Sequence, residues 1–232
     1  MNDRTILLAL DTATDQASVA LYDGEHVLAE ITWHSARRHT VELMPQVDSL
    51  CALMGLTAAN VGGVAVAIGP GSFTGIRVAL SLAKGIAGAR QLPLFGVSTL
   101  EAIAHPHHAQ PLPVTALVQA GRGRVCWAHF TQDGENPPWH TSSPPRISSV
   151  EAVAEATMGA VLFAGEILPA THATLLALLG ARAHFVPPAL TVRRASCLAE
   201  IAWPRWLAGH SDDVASLAPI YLHELPPGPG HD

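Results

Sequence analysis

The sequence predicts an α/β protein in two lobes, and three observations carry that prediction. An apolar run over residues 61–68 enters the glycine-rich turn Gly69-Pro70-Gly71-Ser72-Phe73-Thr74-Gly75, which opens a long helical segment over residues 74–89. Three strand-like runs precede it, and helix and strand patterns alternate after it. A stretch rich in proline and histidine, residues 105–113, then separates a first lobe, 1–104, from a second, 114–225.

Taken in order, residues 5–10, 17–22 and 26–33 are rich in Leu, Val and Ala, and Asp23-Gly24 between the last two is a hairpin turn. A helix over 40–54 places Val41, Met44, Val47, Leu50, Cys51 and Met54 along one face, with Pro45 tolerated in its first turns. Ser72 or Thr74 is placed to cap the long helix, because either hydroxyl can accept from an unpaired first-turn amide. Within that helix Gly75, Ala79, Ala83 and Ala87 recur every fourth residue as a smooth stripe. Ile76, Leu80 and Ile86 can dock the helix on its sheet and leave the stripe for another helix; the alternative is that the stripe itself meets the sheet. A strand at Leu94–Val97 and a helix from Ser98 or Thr99 end the lobe.

The second lobe reads as strands at 114–118, 124–131 and 161–164, a proline-rich loop (Pro137-Pro138, Pro144-Pro145), a capping box at Ser148-x-x-Glu151, and helices near 171–179 and 195–206. Pro204 is expected to kink or end the last helix, which is free to pack back on the first lobe. The Pro/Gly-rich tail 226–232 is expected to be disordered.

Composition narrows the function. The 232 residues are 49% hydrophobic and 14% charged, against a usual charged fraction of about 25%, which favours burial of apolar surface against a partner. A net charge of −6 argues against autonomous nucleic-acid binding. Cys51, Cys126 and Cys197 are odd in number and form no CxxC pair, as expected of a reducing compartment. Only a short apolar run precedes Asp11, too short for a signal-peptide core, and no run reaches the roughly 18 apolar residues of a membrane span, so a soluble cytoplasmic chain is expected.

Three chemistries are tested and set aside. The glycine turn is not a P-loop, since Gly75 is followed by Ile76 and Arg77 and not by Lys-Ser/Thr, and its glycines miss the dinucleotide spacing. Gly71-Ser72-Phe73 lacks the second glycine of a nucleophile elbow. Among the histidines, 13 in all, His34 and His39 are five apart, which is not a metal-ligand spacing on a helix, so no metal is expected. Asp11, followed by Thr12 and Thr14, ends the first strand; it reads as a turn former or as the remnant of a nucleotide contact.

The glycine turn and its helix, the opening Ile6–Thr14, Arg38-His39-Thr40 through Leu43-Met44-Pro45, and Pro93–Leu100 together resemble the bacterial TsaB family. The match is close over the first 105 residues or so and looser beyond. The resemblance implies a ribonuclease-H-like lobe of the actin, sugar-kinase and Hsp70 type. It implies a subunit without catalytic residues or cofactor of its own, paired with the catalytic homologue TsaD, which transfers threonylcarbamoyl to the adenosine beside the anticodon of ANN-decoding tRNAs. The small ATPase TsaE joins that complex, and the free chain is expected to form a homodimer. By the same resemblance the partner face uses the first two helices, with Val41, Met44, Val47, Cys51, Gly75, Ala79, Ala83 and Ala87. Asp11 survives at most as a remnant cofactor contact, because the second acidic residue of kinase-like relatives is Gln119 here. The HxxxH metal motif of the catalytic relatives is absent from Ser98–Ala102. Three departures stand out: Gln119-Ala120-Gly121-Arg122 for Asp-Ala-Arg, Cys126 for Tyr, and His223 for Arg. The competing readings are a homodimer with an unrelated regulatory role, and a peptidase or ATPase.

Overall fold

The computed structural model describes residues 6–36, 38–132, 139–142 and 144–222. The Pro137-Pro138 pair, His223 and the tail 226–232 lie outside the described residues. The first sheet has the order β3-β2-β1-β4-β5, built from β1 (Ile6–Asp11), β2 (Gln16–Tyr22), β3 (Val27–His34), β4 (Val61–Ala67) and β5 (Leu94–Val97). β1, β2 and β3 are antiparallel, and β4 and β5 run parallel to β1. This is the ribonuclease-H-like arrangement of the actin, sugar-kinase and Hsp70 folds. The second sheet has the order β11-β10-β6-β7-β8, with β9 (Arg146–Ser149) also on β7. Its strands are β6 (Val114–Gly121), β7 (Arg124–Gln132), β8 (Trp139–Thr141), β10 (Val161–Gly165) and β11 (Ala183–Phe185). β8, β9 and β11 are too short to show a period in sequence.

The strand period of two sorts the first sheet's side chains into two layers. Ile6, Leu8 and Leu10 of β1, with Val61, Val64 and Val66 of β4, face α1 (His39–Leu53) and α2 (Phe73–Arg90). Leu7, Ala9, Ala65 and Ala67 face the other way and meet Ala195, Leu198, Ala199 and Ala202 of α6 (Ala195–Leu207). Small residues on both sides let α6 lie close. Its first turn has no cap of its own; Ser18 Oγ accepts from Ala195 N at 3.0 Å and Glu30 Oε1 from Ser196 N at 2.8 Å. The last helix of the chain is therefore held by the first sheet.

Ser72, not Thr74, caps α2, its Oγ accepting from Gly75 N at 3.2 Å. The small stripe does not stand free: Ala79, Ala83 and Ala87 are fully buried among the large residues of β1 and β4. Bulky strand residues leave the helix room only where its own side chains are small, so the stripe serves its own sheet. Gly75 is needed for the same reason, since a Cβ there would stand 2.2 Å from the Thr12 carbonyl. Thr12 Oγ1 donates to Gly75 O at 2.6 Å and accepts from Ala79 N at 3.2 Å, tying β1 to the helix ladder.

α3 (Thr99–Ala104), expected to end the first lobe, packs Leu100, Ile103 and Ala104 against the second sheet and leads into a single 3-10 turn, His105–His107, within the expected linker. α4 (Val150–Glu155) is capped by Ser149, not Ser148, whose hydroxyl accepts instead from Trp127 Nε1 at 2.8 Å. α5 (Pro169–Leu179) packs beside it on the second sheet. Pro204 does not end α6, which continues to Leu207 with Ala208 N donating to Pro204 O. The chain then returns along β5, where Asp212 bridges to Leu94, and Ile220 N donates to Ile68 O at 2.7 Å.

Candidate functional site: the lobe cleft and the helical face

Asp11, which the resemblance offers as at most a remnant cofactor contact, has its carboxylate occupied from within the chain. Its carboxylate is 1% exposed and pairs with the Arg193 guanidinium, Nε to Oδ2 at 2.8 Å and Nη2 to Oδ1 at 3.3 Å. Oδ1 also accepts from Ala13 N at 2.8 Å, the turn-forming bond expected of an Asp-Thr sequence. Arg193 donates further to Thr14 Oγ1 and the Gln16 carbonyl, and its own N–H donates to Gln16 Oε1. A buried guanidinium thus stands directly on the Asp11 carboxylate. Nothing local in the sequence marks Arg193 for a partner 182 positions away.

Around this pair the lobes enclose a cleft. One cavity of about 660 Å³ is lined by Asp15, Gln16, Gln119, Glu166 and Arg193 on its polar side and by Leu168, Phe185 and Pro188 on its apolar side. A second, of about 510 Å³, adjoins it and is lined by Thr14, His39, Ser72, Thr74 and again Asp15, Gln119 and Glu166. Glu166 follows Gly165, whose φ of +104° and close approach to the Leu117 carbonyl both demand glycine. Glu166 Oε2 accepts from Gln119 N at 3.0 Å, and Gln119 Nε2 donates to Glu166 O at 2.7 Å. Gln119 is therefore a structural clamp joining β6 to Glu166 just after β10. His39 is buried in the cavity wall; desolvation lowers its pKa and its Nδ1 has no hydrogen-bond partner.

The cysteines offer no nucleophile. Burial pushes the Cys197 thiol up to about 12 and the Cys126 thiol up to about 11, and raises that of Cys51. Among the described residues no group of three or more His, Cys, Asp or Glu is clustered as metal ligands, and no helix is long and apolar enough to cross a membrane.

The two first-lobe helices form the other distinctive surface. Val41 and Met44 are exposed at 62% and 42%, whereas Val47 and Cys51 are buried with the Gly75/Ala79/Ala83/Ala87 stripe. Those six buried residues are core, because each points from its helix onto the first sheet or a neighbouring helix. The open face of α2 is carried instead by Phe73, Arg77, Val78, Ser81 and Leu82, which with Thr40, Leu43 and Met44 line a groove of about 470 Å³. Arg77 lies 3.6 Å over the Phe73 ring, and Tyr221 stacks on the same ring at 5.3 Å.

The sequence matches, over residues 26–158, a family described as "TsaD: tRNA N6-adenosine threonylcarbamoyltransferase". The chain belongs to that family, and the curated proteins similar to it include several named TsaB. It is 35% identical to the tRNA threonylcarbamoyladenosine biosynthesis protein TsaB of Escherichia coli over 151 residues, a stretch that covers 64% of each chain and so just under two thirds of that relative. An uncharacterized protein of Mycobacterium tuberculosis is 32% identical over 93% of this chain and 90% of its own length. The solved structure of YeaZ from Pseudomonas aeruginosa superposes with a TM-score of 0.77 at 26% identity, covering 94% of this chain and all of that one.

Proposed function

We propose that this chain is a non-catalytic subunit in the biosynthesis of threonylcarbamoyladenosine in tRNA, holding a catalytic TsaD through the open face of α1 and α2. The observation that carries the reading is the Asp11–Arg193 pair. Phosphoryl and related transfers need a carboxylate free to organise a metal and phosphate, and here the carboxylate is spent on an internal arginine while the second acidic position is Gln119. The groove between α1 and α2 supplies the complementary half. Met44, Phe73 and Arg77 on the groove are residue types enriched at protein interfaces, and exposed Val41 adds apolar surface on the same helix as Met44. The same face serves an isologous homodimer in the free chain, which TsaD then displaces; TsaE joins the assembled pair.

The test replaces Met44 by Arg, at an exposed position that leaves the core intact. The variant is expected to fold with wild-type stability, to lose co-purification with TsaD, and to fail to restore threonylcarbamoyladenosine in tRNA when it is the cell's sole copy. A variant that still pairs and restores the nucleoside overturns the assigned face. ATP turnover by the pure chain, abolished by Asp11→Asn, overturns the non-catalytic reading.

A further inference from the structure

We propose that Arg77, held over the Phe73 ring at the groove between α1 and α2, anchors that face by taking a carboxylate of the partner protein. The inference rests on the subunit reading above and deepens it by naming the chemistry that the partner presents. Leu43, Met44, Val78 and Leu82 make the lining apolar, and among the described lining residues Arg77 alone is charged. A partner segment that fills the groove therefore carries apolar side chains with an acidic one beside them.

The guanidinium is held in place while its donors stay open. Its carbon lies 3.6 Å from the centroid of the Phe73 ring and 5.7 Å from that of Tyr221. The two rings stack on each other with centroids 5.3 Å apart. Stacking occupies the flat face of a guanidinium and leaves its N–H donors free around the edge. Among the described residues those donors make no hydrogen bond and no ion pair. Arg77 is exposed in the free chain, so water holds them until a partner covers the groove. A carboxylate matches the fork with two parallel bonds, and a partner seated on apolar walls shields the pair from solvent.

Tyr221 is the positioning residue. Ile220 N donates to Ile68 O at 2.7 Å on one side of it, and on the other Leu222 packs against the core of the second sheet. Fixed between these two contacts, Tyr221 steadies the Phe73 ring, which is itself 55% exposed, and through it the guanidinium. An arginine ordered before binding loses less side-chain freedom when the partner arrives. A nucleic acid is the other anionic occupant, and the lining disfavours it. A phosphate backbone is met by several lysines and arginines, whereas the described lining offers one arginine among apolar and hydroxyl side chains.

Calorimetric titration of the full chain with TsaD at several salt concentrations tests the inference. Arg77→Gln is expected to weaken pairing about tenfold and to flatten its salt dependence, as a charge-assisted bond is lost. Its urea midpoint is expected to match the wild type, because the side chain is exposed. Arg77→Lys keeps the charge without the fork and is expected to recover only part of the affinity. Tyr221→Ala is expected to weaken pairing about threefold, and Tyr221→Phe, which keeps the ring, to pair like the wild type. Met44→Arg separates the two claims. Pairing lost in Met44→Arg but unchanged in Arg77→Gln overturns the anchor and leaves the subunit reading standing. Wild-type pairing by Met44→Arg, or no pairing by the wild-type chain, overturns both. An Arg77→Gln defect confined to self-association or to tRNA binding also overturns the proposal, since the carboxylate would then belong to a second copy or the anion would be a phosphate.

Discussion

At the scale of single residues, the contact between Asp11 and Arg193 governs the cleft. Both groups are almost wholly buried, so each is tolerable only because of the other. Removing one partner leaves a bare charge in a low-dielectric interior, a loss of about 3–5 kcal/mol. Arg193→Met is therefore expected to destabilise the chain by about that amount in urea unfolding, and adding Asp11→Asn to it should recover part of the loss. A stability within experimental error of wild type for Arg193→Met would show that the pair is not buried as described. Neither residue announces this role locally. Asp11 is legible as the end of a strand and the start of a turn; Arg193 has meaning only once the chain has folded back across 182 positions.

Among the elements, α2 shows how one sequence pattern supports two structures. A small-residue stripe permits close approach, and sequence alone does not say whether helix or sheet approaches it. The β1 and β4 side chains beneath it are large, and that decides the orientation. Two glycines of this helix consequently respond to alanine in opposite senses. Gly75 has the Thr12 carbonyl 2.2 Å from where its Cβ would be, so Gly75→Ala should cost about 1–3 kcal/mol despite alanine's better helix propensity. Gly85 is exposed with nothing within 4 Å, so Gly85→Ala should gain about 0.5–1 kcal/mol. Chemical denaturation of the two variants checks both signs; equal shifts in one direction would mean that the helix is rotated relative to its sheet.

For the whole molecule, two buried histidines, His39 and His107, and the half-buried His129 shape the response to acid. Desolvation lowers the pKa of His39, His107 and His129 from the ordinary 6.5. The unfolded chain therefore takes up protons near that pH which the folded chain refuses. This contribution to stability is complete above pH 6.5 and is lost as the pH falls toward the folded-state values. Each histidine adds at most about 1.4 kcal/mol per pH unit to the slope. Glu101 opposes them, since burial raises its carboxyl pKa and so favours the folded state on the acid side. Three histidines against one carboxyl should leave a net fall in the urea midpoint as the pH drops through 6.5, and His107→Gln should flatten it. A midpoint that stays level across that window would contradict the burial of these rings.

Local pattern by itself determined the strands of the first sheet, the Asp23-Gly24 hairpin and the two long helices, and narrowed the cap at the glycine turn to Ser72 or Thr74, because each depends on contacts within a few residues. It also determined the family resemblance, carried by motifs within the first 105 or so positions. Only the tertiary structure decided that α6 closes the first sheet, capped by Ser18 and Glu30 from strands over 160 positions earlier. Only it decided that the alanine stripe is core and that Phe73, Arg77 and Met44 form the open face. The cleft belongs to the same class, since Asp11, His39, Gln119, Glu166 and Arg193 come from both halves of the chain. Burial and pairing are properties of what surrounds a side chain, and for these residues the surroundings are assembled by topology.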